Sequence, residues 1–324
     1  MSEKARRTLW TLLKFGVTVG LLSYLAQSIE LDQALELAAS AHPGSVVLAM
    51  AMVAAQQVII ALRWRFLASM KAETPTYGRF FRWTMEGLFF NQTLPSSVGG
   101  DAIRIFRLAR DGGLRVSHAT SSVLLDRAFG LLGIVLIAAI FLPTMFHLIT
   151  DPVMQQGVVL LLAAGLGGFA FFLILDGLPP SVRRWKIVAE FLNMSKQARH
   201  VLLSPPLLAK VGLSTAAGQT LALSAFYVLA QGLDVNVAYG VTMAVLPVAI
   251  LIATIPVTIA GWGLREGVLI VALSYAAVSE PQALALSVLY GLVHVAVGLP
   301  GGLFWLMART KAEKPETQSP GPAA

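Results

Sequence analysis

Arg104 and Arg265 each stand a few residues after a proline–glycine break that interrupts a long apolar run. The first turn of a helix has free backbone N–H groups and the positive end of the dipole. A guanidinium beside it suits a phosphate or a carboxylate, so both arginines are candidate anchors for an anionic head group. The blander readings are an interfacial positive-inside role for Arg104 and pairing of Arg265 with a structural carboxylate such as Glu86 or Asp126. A charge placed centrally in a membrane helix is costly unless paired or hydrated, so Arg265 needs an explanation either way. Asp101 and Glu266 neighbour the two arginines and suit three roles: salt-bridge partner, helix cap or proton carrier. Asp126-Arg127 lies in a third apolar stretch. Neighbours on a helix point in different directions, so each of these two needs its own partner, in a structural network or on a substrate. Glu86 and Asn91, with Gln92 and Thr93, either line a cavity or satisfy broken backbone.

The breaks themselves repeat. Residues 95–104 begin Pro95-Ser-Ser-Val98-Gly99-Gly100 and end Ile103-Arg104. Residues 256–265 begin Pro256-Val-Thr-Ile259-Ala260-Gly261, continue through Gly263 and end Leu264-Arg265. The offset is 161 residues, roughly half the chain. Matching Pro/Gly interruptions in two halves of a membrane protein point to a transporter-like site built from broken helices. The glycines supply unusual backbone and close approach.

Composition sets the surroundings. Of 324 residues, 56% are hydrophobic and 13% charged, and the mean hydropathy is +0.73. Soluble domains carry about 25% charged residues. The fold class expected is an all-α polytopic membrane protein. There is no cysteine, which excludes disulfides and thiolate sites, and the five histidines have no ligand-like spacing. No metal, no cofactor and no catalytic nucleophile–base pair is expected. The net charge of +7 is explained by basic residues flanking apolar spans, so nucleic acid is not expected as a partner.

Apolar runs predict full spans near 9–28, 45–62, 118–142, 155–175, 208–231 and 282–307, with 181–203 as an amphipathic interfacial helix. Trp64, Trp83 and Trp305 read as interface anchors. Segments near 83–110 and 238–279 read as re-entrant hairpins, although two full crossings stay open for the second. The expected architecture is about six transmembrane helices plus two hairpins, arranged as inverted-topology repeats: 1–150, then 151–310, then a disordered cytoplasmic tail over 311–324. Lysine and arginine placement puts both termini in the cytoplasm.

Asn91-x-x-Leu94-Pro95-x-x-x-Gly99-Gly100-Asp101-x-x-Arg104, then Asp126-Arg127-x-x-Gly130, then Pro256-x-x-x-x-Gly261-x-Gly263-x-Arg265-Glu266 resemble the lysylphosphatidylglycerol synthase transmembrane (flippase-like) family. The likeness covers about 85–305. It implies movement of an amphipathic lipid between leaflets of a bacterial cytoplasmic membrane, with Asp101, Arg104, Asp126, Arg127, Arg265 and Glu266 as the family's polar positions. It also makes lipid-biosynthesis enzymes candidate partners. Only a short tail follows the last span, so no aminoacyltransferase domain is expected and synthase activity is not carried over. Two other readings compete with a flippase: a membrane enzyme acting on a lipid-linked substrate, and a scaffold for a lipid-biosynthesis complex.

Overall fold

The computed structural model describes residues 31–70, 74–93, 99–175, 186–255 and 263–312. Among them the regular structure is all helical: α1 (Leu31–Ala39), α2 (Pro43–Ala68), α3 (Tyr77–Thr93), α4 (Gly99–Arg110), α5 (Val116–Ile140), α6 (Leu142–Leu148), α7 (Pro152–Leu173), α8 (Lys186–Leu203), α9 (Pro205–Gly232), α10 (Tyr239–Ala253), α11 (Leu264–Ser274) and α12 (Glu280–Ala312). Helix starts follow local chemistry. Prolines open α2, α7 and α9, where the missing N–H costs nothing. The Asp151 carboxylate accepts from the Val153 N–H at 2.8 Å and caps α7.

Among the described residues, α2, α5, α7, α9 and α12 are long and apolar enough to cross a bilayer. They coincide with five of the expected spans, and the protein is a multi-pass membrane protein. The expected first span, 9–28, lies outside the described residues, as do Pro95, Pro256, Gly261 and the tail from 313. Helices α3, α4, α10 and α11 have 17, 12, 15 and 11 residues. At 1.5 Å per residue they measure about 25, 18, 22 and 16 Å, short of the ~30 Å hydrocarbon layer.

Helix packing repeats between the two halves. Shifting by the 161-residue offset carries α2 onto α9, α3 onto α10, α4 onto α11 and α5 onto α12. The packed pairs match accordingly: α3 on α12 with α10 on α5, α3 on α4 with α10 on α11, and α4 on α5 with α11 on α12. Helix α2 packs most extensively on its own counterpart, α9.

Apolar groups face both ways, as expected where lipid surrounds the protein. Ile140, Leu160, Phe171 and Leu213 are exposed, while Leu223, Leu229, Leu246, Leu269 and Leu286 form the packed interior. Between helices in lipid, close packing replaces the hydrophobic drive. The closest approach uses Gly301 of α12: a Cβ built there would lie 1.9 Å from the Met85 carbonyl oxygen of α3.

One expectation needs correction. Trp64 and Trp83 are buried and do not face an interface: Trp64 meets Phe80 edge-on, with ring centroids 4.7 Å apart, and its Nε1–H donates to Ser122 Oγ at 3.1 Å. In α8, Phe191 points outward, and the face that packs on α5, α7 and α9 carries Met194, Ser195, Ala198 and Val201. A buried serine in that face donates to the Leu173 carbonyl at 3.1 Å, closing the end of α7.

Gly301→Ala forces two backbones apart and should cost about 1–3 kcal/mol despite alanine's better helix propensity. In α7, Gly168 faces open space, so Gly168→Ala should be neutral or stabilising by up to about 1 kcal/mol. Thermal unfolding of the detergent-solubilised protein, followed by size-exclusion fluorescence, measures both. Equal midpoints for the two variants would refute the close packing of α3 on α12.

Candidate functional site

The first polar centre forms where α2, α4 and α5 meet. Asp126 of α5 is buried, and its carboxylate accepts from two helices: from Arg63 Nε of α2 at 2.7 Å and from Arg104 Nη2 of α4 at 2.7 Å. Arg63 also donates to the Asp126 carbonyl and to Thr215 Oγ1 of α9, each at 3.2 Å. Gly130 makes this approach possible, since a Cβ there would stand 3.2 Å from Arg63 Nη2. Arg104 lies over the Trp64 ring, 4.2 Å from its centroid. It also reaches Asp101 Oδ1 at 3.5 Å, while Arg127 Nε donates to Asp101 Oδ2 at 2.7 Å. Asp126 and Arg127 therefore find different partners, as helix geometry requires. Arg127 is the accessible member, its side chain 45% exposed. Asp101 is the third residue of α4 and serves as an ion-pair partner.

Asn91 of α3 meets the start of α4. Its Oδ1 accepts from the Gly100 N–H at 2.9 Å. Asn91 thus satisfies broken backbone, one of its two expected roles. Gly100 is required here, because a Cβ would sit 2.0 Å from the Gly87 carbonyl oxygen. Gly87 in turn leaves room for the Arg104 side chain, with the Arg104 Cγ 3.0 Å from where a Cβ would be.

A second ion cluster joins α3, α4 and α12. Glu86 is fully buried and accepts from Arg107 Nε at 2.6 Å and Arg82 Nε at 3.1 Å. Arg107 continues to Asp111 at 2.9 Å, and Arg82 donates to the Phe304 carbonyl of α12. Glu86 meets neither Arg104 nor Arg265. Arg104 and Arg107 are drawn into the protein, whereas Arg110, further along α4, is exposed.

In the second half, the Glu266 carboxylate turns back on the start of α11. One oxygen accepts from the Gly263 N–H at 2.6 Å. The other accepts from Arg265 Nη2 at 2.5 Å and from Ser287 Oγ of α12 at 3.0 Å. Arg265 also donates to the Ser287 carbonyl at 3.0 Å, and its guanidinium lies 5.9 Å from the Tyr290 ring centroid. Neighbours Arg265 and Glu266 meet because the carboxylate folds back toward the helix start, where Gly263 has φ +84°. Arg265 thus pairs with its neighbour, and neither Glu86 nor Asp126 is its partner.

The two centres share one register. Position 126 shifted by 161 is 287, so each post-break arginine, Arg104 or Arg265, meets the same position of the following span. The first half places aspartate there; the second places serine and supplies its carboxylate from Glu266. Arg63, Thr215 and Ser287 take part without having been singled out as site candidates from sequence. The 161-residue register alone could have flagged Ser287.

Helices α6, α7, α10 and α11 enclose a cleft of about 640 Å³ that reaches Gly263. Its walls are apolar, with Val158, Val248, Val268 and Val271 among them. No group of three or more metal-ligating side chains occurs among the described residues.

Removing the Asp126 charge strands two buried guanidiniums. Asp126→Asn should cost about 3–5 kcal/mol, as for breaking a buried pair. Half-exposed Arg127 belongs with surface pairs, so Arg127→Gln should cost under about 1 kcal/mol. Unfolding midpoints of the purified variants test this ordering, and a reversed order would mean that Asp126 is not the hub.

Comparison with known proteins agrees with this picture. The family described as lysylphosphatidylglycerol synthase TM region matches residues 11–302. A UPF0104 membrane protein of Methanocaldococcus jannaschii is 24% identical over 123 residues, 38% of this chain and 35% of that protein. The aligned stretch thus spans about a third of that relative's length. The family match covers four of the five described spans whole and most of the fifth, and the chain belongs to the lysylphosphatidylglycerol synthase transmembrane region family.

Proposed function

We propose that this protein moves an amphipathic lipid with a charged head group between the leaflets of the membrane. The observation that carries this reading is the duplicated arginine. Arg104 and Arg265 sit in the first turns of α4 and α11 and meet equivalent positions, 126 and 287, inside an apolar bundle. Charges inside a membrane bundle are costly and mark pathways for polar cargo. Duplicated broken helices with ligands at their N-terminal ends are the usual construction of a transporter site.

In this reading the pairs α3/α4 and α10/α11 are re-entrant hairpins in inverted-topology repeats, related by an axis in the membrane plane. The short helices and the matched packing pairs support it. Each existing carboxylate partner then acts as a stand-in for the cargo. Glu266 occupies Arg265, and Asp101 occupies Arg127, until an anionic head group competes for the guanidinium. The exchange replaces one charge-assisted bond with another, so the cation is never left bare in an apolar setting. Both termini face the cytoplasm, supported by basic residues beside the spans. The family's description points to a lipid setting.

The test is lipid flipping in proteoliposomes, with fluorescent anionic and cationic head-group lipids and an imposed proton gradient. Arg265→Gln and Arg104→Gln should lower the rate about ten-fold or more, the loss expected for one charge-assisted hydrogen bond. Folded variants that flip at the wild-type rate would remove the arginines from the pathway. A wild type that moves none of the lipids faster than empty liposomes would overturn the transport reading itself.

A further inference from the structure

We infer that the first polar centre holds one singly charged anion, the phosphate diester of an acidic lipid, on the terminal nitrogens of Arg127. The inference rests on the lipid-transport reading and deepens it, naming the class of head group and the residue that meets it first.

Charge is the first observation. In that centre three guanidiniums, those of Arg63, Arg104 and Arg127, share two carboxylates, those of Asp101 and Asp126. One positive charge is therefore unbalanced. The other ion clusters balance: Arg265 has Glu266, and Arg82 and Arg107 have Glu86 and Asp111. The unbalanced charge also sits deep. Arg127 is the twelfth of the 25 residues of α5. That places it about 17 Å along the helix, near the middle of a ~30 Å hydrocarbon layer. A cation at that depth is costly without a counter-charge or water.

Geometry is the second. Asp101 takes only the Nε of Arg127, at 2.7 Å. The two Nη nitrogens donate to no protein group among the described residues, and the side chain is half-exposed. Asp101 thus fixes the guanidinium plane and leaves its outer edge open, a fork that binds two phosphate oxygens at once. An anion can reach this edge before it displaces any carboxylate. The surrounding face is the third. Leu124 and Leu131 stand three residues before and four residues after Arg127, on the same side of α5, and both are exposed. An acidic lipid matches both features, its phosphate on the fork and its apolar remainder on the leucines. A dissolved phosphate gains nothing from the leucines, and a zwitterionic lipid brings back the positive charge that its phosphate cancels.

The probe is phosphatidylglycerol, titrated into the detergent-purified full chain and counted by native mass spectrometry, beside phosphatidylcholine and inorganic phosphate. Wild type should bind one phosphatidylglycerol about ten-fold more tightly than phosphatidylcholine. Arg127→Gln, with a near-unchanged unfolding midpoint, should lose that preference and bind phosphatidylglycerol about ten-fold more weakly. Arg127→Lys keeps the charge without the fork, so it should keep the preference at reduced affinity. Arg110→Gln, on the exposed part of α4 and outside the cluster, should bind as wild type does. Equal binding of the two lipids, or wild-type binding by Arg127→Gln, overturns the site. Equal losses in Arg110→Gln and Arg127→Gln also overturn it, by assigning the preference to the basic surface as a whole. Displacement of the lipid by inorganic phosphate overturns the lipid as the source of the anion. Arg127-dependent binding in a protein that flips nothing in proteoliposomes upholds the site and removes the transport reading. Flipping that survives Arg127→Gln removes the site and leaves the transport reading standing.

Discussion

The carboxylate of Asp126 holds guanidiniums from two other helices, each at 2.7 Å, in a part of the bundle from which water and lipid are excluded. Through Arg63 it ties α5 to α2 and, by way of Thr215, to α9 of the other half. Through Arg104 it fixes α4, whose start Asn91 of α3 holds at the Gly100 N–H. Small residues are the condition for this. Gly130 admits Arg63, Gly87 admits Arg104, and Gly100 lets α4 lie on α3. The polar positions and the glycines are one design, because a guanidinium can be buried among helices only where side-chain volume has been removed.

The two halves solve the same problem differently. Each puts an arginine in the first turns after the break and aims it at the same position of the next span. In the first half the counter-charge comes from that span, so Arg104 is held by a helix other than its own. In the second half the counter-charge is Glu266, the neighbour of Arg265 on α11, and Ser287 adds a neutral hydroxyl. Moving the carboxylate by one helix changes what the ion pair does. The first pair cross-links two helices. The second keeps most of its charge compensation within α11, which then borders the apolar cleft on its other side.

Much of this was legible in the sequence, where periodicity and cost leave few options. The spans near 45–62, 118–142, 155–175, 208–231 and 282–307 follow from apolar length alone. The repeat register set Arg104 beside Arg265, and helix geometry separated the partners of Asp126 from those of Arg127. What was not legible depends on rotation about a helix axis. Arg63, Trp64 and Arg65 end the same apolar run, and each reads as an interfacial residue; only packing decides that Arg63 and Trp64 turn inward. Two of the three roles offered for Glu266, salt-bridge partner and helix cap, are the ones it fills; neighbours on a helix usually diverge, and the contact forms because the carboxylate folds back to the helix start. The cleft has no local signature at all, since its walls come from four helices whose apolar residues look like any others in a membrane span.

Stability alone does not account for so many buried charges. Replacing a buried ion pair by well-packed apolar residues is often neutral or stabilising by about 1–4 kcal/mol. Here Glu86, Asp101, Asp126, Arg63 and Arg104 are all buried, and each has at least one opposite charge within 4.0 Å. An apolar version of this interior would meet the packing needs of a helical bundle equally well. What it could not provide is direction: a fork of fixed orientation near the start of α4 and α11, held by named carboxylate partners. In lipid, where apolar contact discriminates poorly between one helix face and another, ion pairs also fix register, which van der Waals packing alone leaves open to sliding. The arginines therefore serve geometry first, and the same geometry is what an anionic head group would recognise.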